Sequence, residues 1–209
     1  MQTAPSYNAA MDWLHSIALG AGLAWASGIR LYAVLVLAGA MGRLGYLDLP
    51  PALEVLQHPL VMAAAGVMAL GEFLADKVPA FDSVWDAVHT FIRVPAGAVL
   101  AAAALGQADP VGVLVAAIVG GAIASGAHLA KAGTRAVINT SPEPVSYWAA
   151  SFGEDLLVPA GFLAAIKAPL VFLVLLAGFL AAAIWFVPKL FRALRRLLGK
   201  LTGGAQAPG

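Results

Sequence analysis

Residues 170–187 read LVFLVLLAGFLAAAIWFV, without one charged side chain. A helix of about 18–20 such residues crosses the hydrocarbon core of a bilayer. Apolar runs recur at 13–41, 60–75, from 94 to 105, at 111–130 and from 156 to 166. Across its 209 residues the chain is 61% apolar and 11% charged, with a mean hydropathy of +0.87. Soluble domains carry about 25% charged residues, so a water-soluble helical core is excluded. The fold class expected is all-α: a polytopic membrane protein of about six transmembrane helices. There is no Cys, which removes disulfides, thiolate zinc sites and Cys nucleophiles. A net charge of +1 gives no footing for nucleic acid. No basic residue precedes Arg30, so the first run is expected to remain as a helix rather than leave as a signal peptide.

Against this background residues 71–97, GEFLADKVPAFDSVWDAVHTFIRVPAG, stand out. They place Glu72, Asp76, Lys77, Asp82, Asp86, His89 and Arg93 in one short stretch. Val94-Pro95-Ala96-Gly97 then recurs as Val158-Pro159-Ala160-Gly161. Each copy follows a Gly-led span ending in Leu-Ala and an early Lys, Lys77 or Lys131. The second polar region, 128–157, carries His128, Lys131, Arg135, Asn139, Thr140, Ser141, Glu143, Glu154 and Asp155. Internal repeats of this kind are common in transporter folds.

Length places the acids inside helices. Leu156 to Ile166 is too short to cross a membrane, so that span must begin near Ser141-Pro142-Glu143, a cap followed by Pro and an acid. The third span begins near Pro79 by the same reasoning. Asp82, Asp86, His89 and Arg93, spaced by four, three and four, then share one helical face. Phe81, Val84, Trp85, Val88 and Ile92 share the other. Ser146, Ser151, Glu154 and Asp155 form the polar side of the second copy. Pro95 and Pro159 predict kinks. Half-polar, kinked helices at membrane depth are tolerated where they line a water-filled cavity.

Arg30 sits mid-run, where an unpaired cation costs roughly 2.5–3.5 kcal/mol. It either snorkels to an interface or meets an acid inside. Gly20, Ala24 and Gly28 fall at four-residue spacing, a row that lets another helix approach closely and permits a homo-oligomer. The organisation read from this pattern is one transmembrane domain, 1–201. Its first span is 13–41, its repeat halves lie roughly at 60–107 and 111–166, and its last span is 170–187. A basic amphipathic tail helix follows at 188–201, then a disordered end at 202–209. Lys77, Arg93, Lys131, Arg135 and five tail cations fall on one side of the membrane, Arg43 and Lys167 on the other. The positive-inside rule puts both termini and both polar regions in the cytoplasm, with the chain in the inner membrane.

Three chemistries fit these residues. Acids and His in a membrane cavity move cations or protons, with Lys and Arg balancing them. Lys77, Arg93, Lys131 and Arg135, helped by Asn139, Thr140 and Ser141, could grip a lipid headgroup. Asp82, Asp86 and His89 place three metal ligands on one face, the start of a metal-dependent enzyme. No nucleophile motif or HExxH accompanies them, no cofactor is required, and the enzyme reading is the weaker one. The site set read from the sequence is Arg30, Glu72, Asp76, Lys77, Asp82, Asp86, His89, Arg93, Lys131, Arg135, Asn139, Ser141, Glu143, Glu154 and Asp155. The partners expected are the bilayer and a small ion or polar solute.

Three elements together resemble a bacterial integral-membrane family, domain of unknown function 4126. They are Ala26-Ser27-Gly28-Ile29-Arg30-Leu31-Tyr32; Glu72-Phe73-Leu74-Ala75-Asp76-Lys77-Val78-Pro79 with Asp82 and Trp85-Asp86; and Asn139-Thr140-Ser141-Pro142-Glu143-Pro144 with Glu154-Asp155. Where the pattern would carry Ser-Asn, this chain has Ser146-Tyr147. The resemblance covers about residues 20–165. It implies a shared polar site and brings no activity with it. The function expected is movement of a small ion or polar solute through a polar cavity between the two half-polar helices.

Overall fold

Five of the six helices open on a proline, a residue that fits the first helical turn because its missing N–H would have no partner there. A computed structural model describes residues 7–106, 108–139 and 144–203. The helices are α1 (Tyr7–Arg43), α2 (Pro59–Ala75), α3 (Pro79–Ala104), α4 (Pro110–Ile138), α5 (Pro144–Lys167) and α6 (Pro169–Gly203). No strand occurs among the described residues. Side-chain caps reinforce two of the starts. Asp109 accepts from the Val111 and Gly112 amides at 2.8 and 2.9 Å, and His58 Nδ1 accepts from Leu60.

Five helices are long and apolar enough to cross a membrane. A 3-10 turn, Pro51–Gln57, meets the 17-residue α2 at 69°, a bent pair that makes a sixth span only when the two are counted together. The all-α polytopic fold expected from the sequence is therefore what forms. Its fourth span runs on to Ile138, past the expected end near Ala130. His128, Lys131 and Arg135 lie on one face there and are buried, because each meets a partner inside the bundle. The last span continues through Pro188 into the basic tail as one helix. α3 and α5 likewise continue through Pro95 and Pro159.

α1 is the axle. It touches each of the other five helices. Two-thirds of its apolar window (67%) is buried, against 17% for α6. The outer helices turn large apolar side chains outward, among them Phe91, Leu156 and Ile184. In water such a surface would aggregate; in lipid it is the expected exterior.

Small residues set how close the helices come. Gly28 of α1 lies against the Ala124 carbonyl and Ala127 of α4. Gly97 of α3 lies against Ala124 and against Ser27 Oγ of α1, and Gly161 of α5 against the Trp25 ring of α1. Gly97 and Gly161 close the two Val-Pro-Ala-Gly segments, so both segments seat on the same short stretch of α1. On the other side Trp25 meets Phe172 and Phe179 of α6 edge-on, with centroids 6.1 and 6.3 Å away.

The one break recorded inside α1 is at Arg30, with φ −143° and ψ 80°. It falls two residues beyond the Gly28 contact, just past the middle of the span. The Ile29 carbonyl beside it accepts from Lys131 Nζ at 3.3 Å.

Crowding at the small-residue contacts gives a direct test. Gly28→Leu and Gly97→Leu are expected to destabilise the fold by about 1–3 kcal/mol or more each, as overpacked positions do. An added Cβ at Gly66 meets nothing within 4 Å, so Gly66→Ala should hold stability or raise it by up to about 1 kcal/mol. Chemical unfolding in detergent micelles separates the two classes.

Candidate functional site

A buried ionic network occupies the space between α1, α3, α4, α5 and the α2–α3 turn. Arg30 comes from the break in α1, Glu72 from the last turn of α2, and Asp76 and Lys77 from the turn itself. α3 supplies Asp82, Asp86, His89 and Arg93; α4 supplies His128, Lys131 and Arg135; α5 supplies Glu154 and Asp155. The polar face read on α3 points inward throughout. Phe81, Val84, Val88 and Ile92 of the opposite face are exposed.

One end is closed. Arg93 is fully buried and divides its guanidinium between Glu72 Oε1 at 2.6 Å and Asp86 Oδ1 at 2.5 Å. The same Nη1 approaches His128 Nδ1 at 3.4 Å. His128 Nε2 lies 2.7 Å from Thr90 Oγ1, and that hydroxyl donates to the Asp86 carbonyl. If Nδ1 accepts from Arg93, Nε2 carries the proton and donates to Thr90. His89 stacks on Trp85 at 4.2 Å, with Nδ1 at 2.8 Å from the Trp85 carbonyl.

The centre is held by Asp76, Arg30 and Lys131. Arg30 reaches Asp76 at 2.8 Å and Asp155 at 2.9 Å, so it is an interior cation facing acids rather than a snorkelling one. Lys131 lies 3.1 Å from Asp76, 3.4 Å from Glu154 and 3.5 Å from Asp86. Through Asp86 it joins the centre to the Arg93 end. Burial alone would raise the Asp76 pKa. The Lys131 and Arg30 charges outweigh that and hold its carboxyl well below the usual range. Arg135 grips Glu154 with two parallel bonds of 3.0 Å, the fork geometry that fits a carboxylate.

The other end is less enclosed. Lys77 pairs with Asp155 at 2.9 Å and donates to Ser151 Oγ. Their side chains are 18% and 21% exposed, against 0% and 1% for Arg93 and Glu72. Phe73 and Phe152 flank the Lys77 ammonium at 4.0 and 4.4 Å from their ring centres. Access to the network is therefore graded, from the Lys77–Asp155 edge inward to Arg93.

The expected open cavity between the half-polar helices is not what these side chains form. They close on one another as direct ion pairs. Grooves on the outside of the bundle, such as that lined by Trp13, Ile17 and Val115, are apolar and lie apart from the charges.

Of the residues named from sequence, Arg30, Glu72, Asp76, Lys77, Asp82, Asp86, Arg93, Lys131, Arg135, Glu154 and Asp155 converge. His89 is buried beside them against Trp85. Asn139 is exposed at the end of α4, with its amide 3.4 Å from Ser83 Oγ, and stands outside the network. Thr140, Ser141 and Glu143 lie outside the described residues. Of the proposed metal ligands, Asp82 and Asp86 come together, but the third group beside them is Asp76 rather than His89; oxygens of the three lie within 4.8 Å of one another. His128, Thr90 and Tyr147 join the site without having been included in it. Thr90 lies four residues after Asp86, and Tyr147 four before Ser151, so helical spacing alone could have found both.

The network has six carboxylates, Glu72, Asp76, Asp82, Asp86, Glu154 and Asp155, against five cations, Arg30, Lys77, Arg93, Lys131 and Arg135. Removing one member of a fully buried pair leaves an uncompensated charge and costs about 3–5 kcal/mol. Arg93→Met is expected to destabilise by that order, with Glu72→Gln restoring part of the loss in the double variant. Lys77→Met, at the exposed edge, should cost about 1 kcal/mol or less. Unfolding curves of the detergent-solubilised variants provide the comparison.

A family model described as domain of unknown function (DUF4126) matches residues 17–189, which include every member of the network. No curated protein and no solved structure matches the chain. With most of its length matched, this chain belongs to the DUF4126 family.

Proposed function

We propose that this chain is a multi-pass transporter or channel-like protein of a bacterial inner membrane, moving a small ion or polar solute along its ionic core. The observation that carries the reading is the network itself: charged groups from α1 through α5 meet inside the helix bundle, with exposure rising toward one edge. Ionisable groups inside a membrane bundle mark ion and proton pathways, because lipid offers them no other use. The graded burial supplies a direction, with entry at Lys77–Asp155 and the deepest point at Arg93.

The positive-inside distribution sets the entry edge and both termini toward the cytoplasm. Direct ion pairing fits a closed state, in which passage requires pairs to exchange partners rather than a standing water column. The headgroup alternative needs free cations. Lys131 and Arg135 instead turn inward and are held by Asp76, Asp86 and Glu154, which favours the ion reading.

Flux into proteoliposomes tests this with a panel of monovalent ions, protons and small polar solutes. Wild-type protein should pass at least one of them. Asp86→Asn and Glu154→Gln should each cut that flux at least tenfold while keeping a cooperative melt. Flux equal to empty vesicles for every probe, or unchanged flux in both folded variants, would leave the network a structural brace.

A further inference from the structure

Asp82 is the acid that the ion pairs leave out. Its side chain is fully buried, yet neither carboxylate oxygen receives a hydrogen bond. Each of the other five acids has a cation within 3.0 Å: Glu72 at 2.6, Asp76 at 2.8, Asp86 at 2.5, Glu154 at 3.0 and Asp155 at 2.9 Å. For Asp82 the close cation is Arg135 Nε at 3.9 Å, and that guanidinium is already committed to Glu154.

Two further acids face Asp82 within 4.8 Å. Asp76 comes from the α2–α3 turn and Asp86 from one turn along α3. α4 contributes Arg135, and behind Asp76 and Asp86 stands Lys131. α1 contributes Arg30, spent on Asp76 and Asp155. From α5 come Glu154 and Tyr147. The Tyr147 hydroxyl is itself buried without a partner. Glu72, His89 and His128 belong to the Arg93 end.

Two ionised carboxylates in contact repel, whereas a carboxylic acid beside a carboxylate donates a hydrogen bond to it. One proton on Asp82 satisfies its own orphaned oxygens and gives Asp76 a further donor. It also brings six acids and five cations to neutrality. A metal ion fits less well. The Lys131 ammonium already stands 3.1 Å from Asp76 and 3.5 Å from Asp86, and a divalent ion placed there would meet it with like charge. Mg²⁺ and Ca²⁺ also take about six or more oxygens.

We propose that Asp82 is the proton site of this pathway, its carboxyl holding one exchangeable proton hydrogen-bonded to Asp76. The proposal rests on the transport reading and names the ion. Loading forms an O–H bond on Asp82 with a proton taken from water at the Lys77–Asp155 edge, and leaves five carboxylates against five Lys and Arg cations. Release breaks that bond, returns the proton to water and leaves the electron pair on Asp82 as one net negative charge. Lys131 and Arg135 are the cations placed to take up that charge.

Infrared difference spectra of the full chain in detergent, recorded across a pH jump in H₂O and D₂O, test the assignment. Wild-type protein near neutral pH should show a protonated-carboxyl band that shifts in D₂O and vanishes in Asp82→Asn. Asn at this position mimics the protonated acid, so Asp82→Asn should melt at or above the wild-type temperature, while Asp76→Asn melts below it. In vesicles under an imposed pH gradient, wild type should acidify the lumen and Asp82→Asn should not, with at least a tenfold difference. A wild-type spectrum without a protonated-carboxyl band, a band that survives in Asp82→Asn, or stabilisation by Mg²⁺ or Mn²⁺ alone that Asp82→Asn removes would each overturn the proton assignment. An Asp82 band in wild-type protein that moves no probe would defeat transport and leave the protonated Asp82 standing.

Discussion

A charge buried in a bilayer protein is stable only against another charge, and that constraint sets where five of the six helices here can stand. Arg30 fixes the first point. It lies within the most enclosed span, at a break that lets its side chain reach Asp76 and Asp155 while the neighbouring Ile29 carbonyl meets Lys131. Those contacts tie α1 to the α2–α3 turn, to α5 and to α4 at once. Ion pairs need oxygen–nitrogen approaches near 3 Å, so the backbones must come close first. Gly28, Gly97 and Gly161 provide that approach. Packing and charge pairing thus depend on the same helix separations: widen one contact and the other is lost.

Much of this was legible because membrane depth makes the sequence code severe. The expected all-α, multi-span class forms, and the four-three-four spacing on α3 correctly divides an inward polar face from an outward apolar one. For Arg30, cost alone left two places, an interface or a buried acid, and the structure takes the second. Less legible were features that need the third dimension. Nothing local says that α4 stays helical to Ile138, because His128, Lys131 and Arg135 read as a polar loop until each is seen with its partner. The carboxylate beside Asp82 and Asp86 is Asp76, from a turn, where the helical face suggested His89. An open cavity was expected from half-polar helices, yet opposite charges near enough to touch do so.

The two Val-Pro-Ala-Gly segments divide the work unequally. Both place their glycine against α1 between Trp25 and Ser27. Ahead of the first, α3 carries Asp86 and Arg93 into the sealed end. Ahead of the second, α5 carries Glu154 and Asp155 to the accessible edge. Each helix runs through its proline with the apolar half beyond it and the charged half before it. The prolines therefore sit at the boundary between a lipid-packed shaft and a polar head. At that boundary a missing amide hydrogen bond permits small changes of angle at low cost.

Stability alone gives little reason for such a network. Buried ion pairs are weak evidence for stability, since apolar side chains of similar volume often hold a fold as well or better. The six helices already have an apolar core running from Leu19 to Leu176 and a seam of close glycine contacts. A network meant only to fasten them would match acid to base and leave no carboxylate over. This one leaves Asp82 with no donor while Arg135, the close cation, is spent on Glu154. On the proton reading, this unmatched acid takes up or gives up one proton. Every ion pair around it feels the choice through Asp76, Asp86 and Lys131. Such a group makes poor mortar; it is suited to coupling the arrival of one small charge to the rearrangement of many.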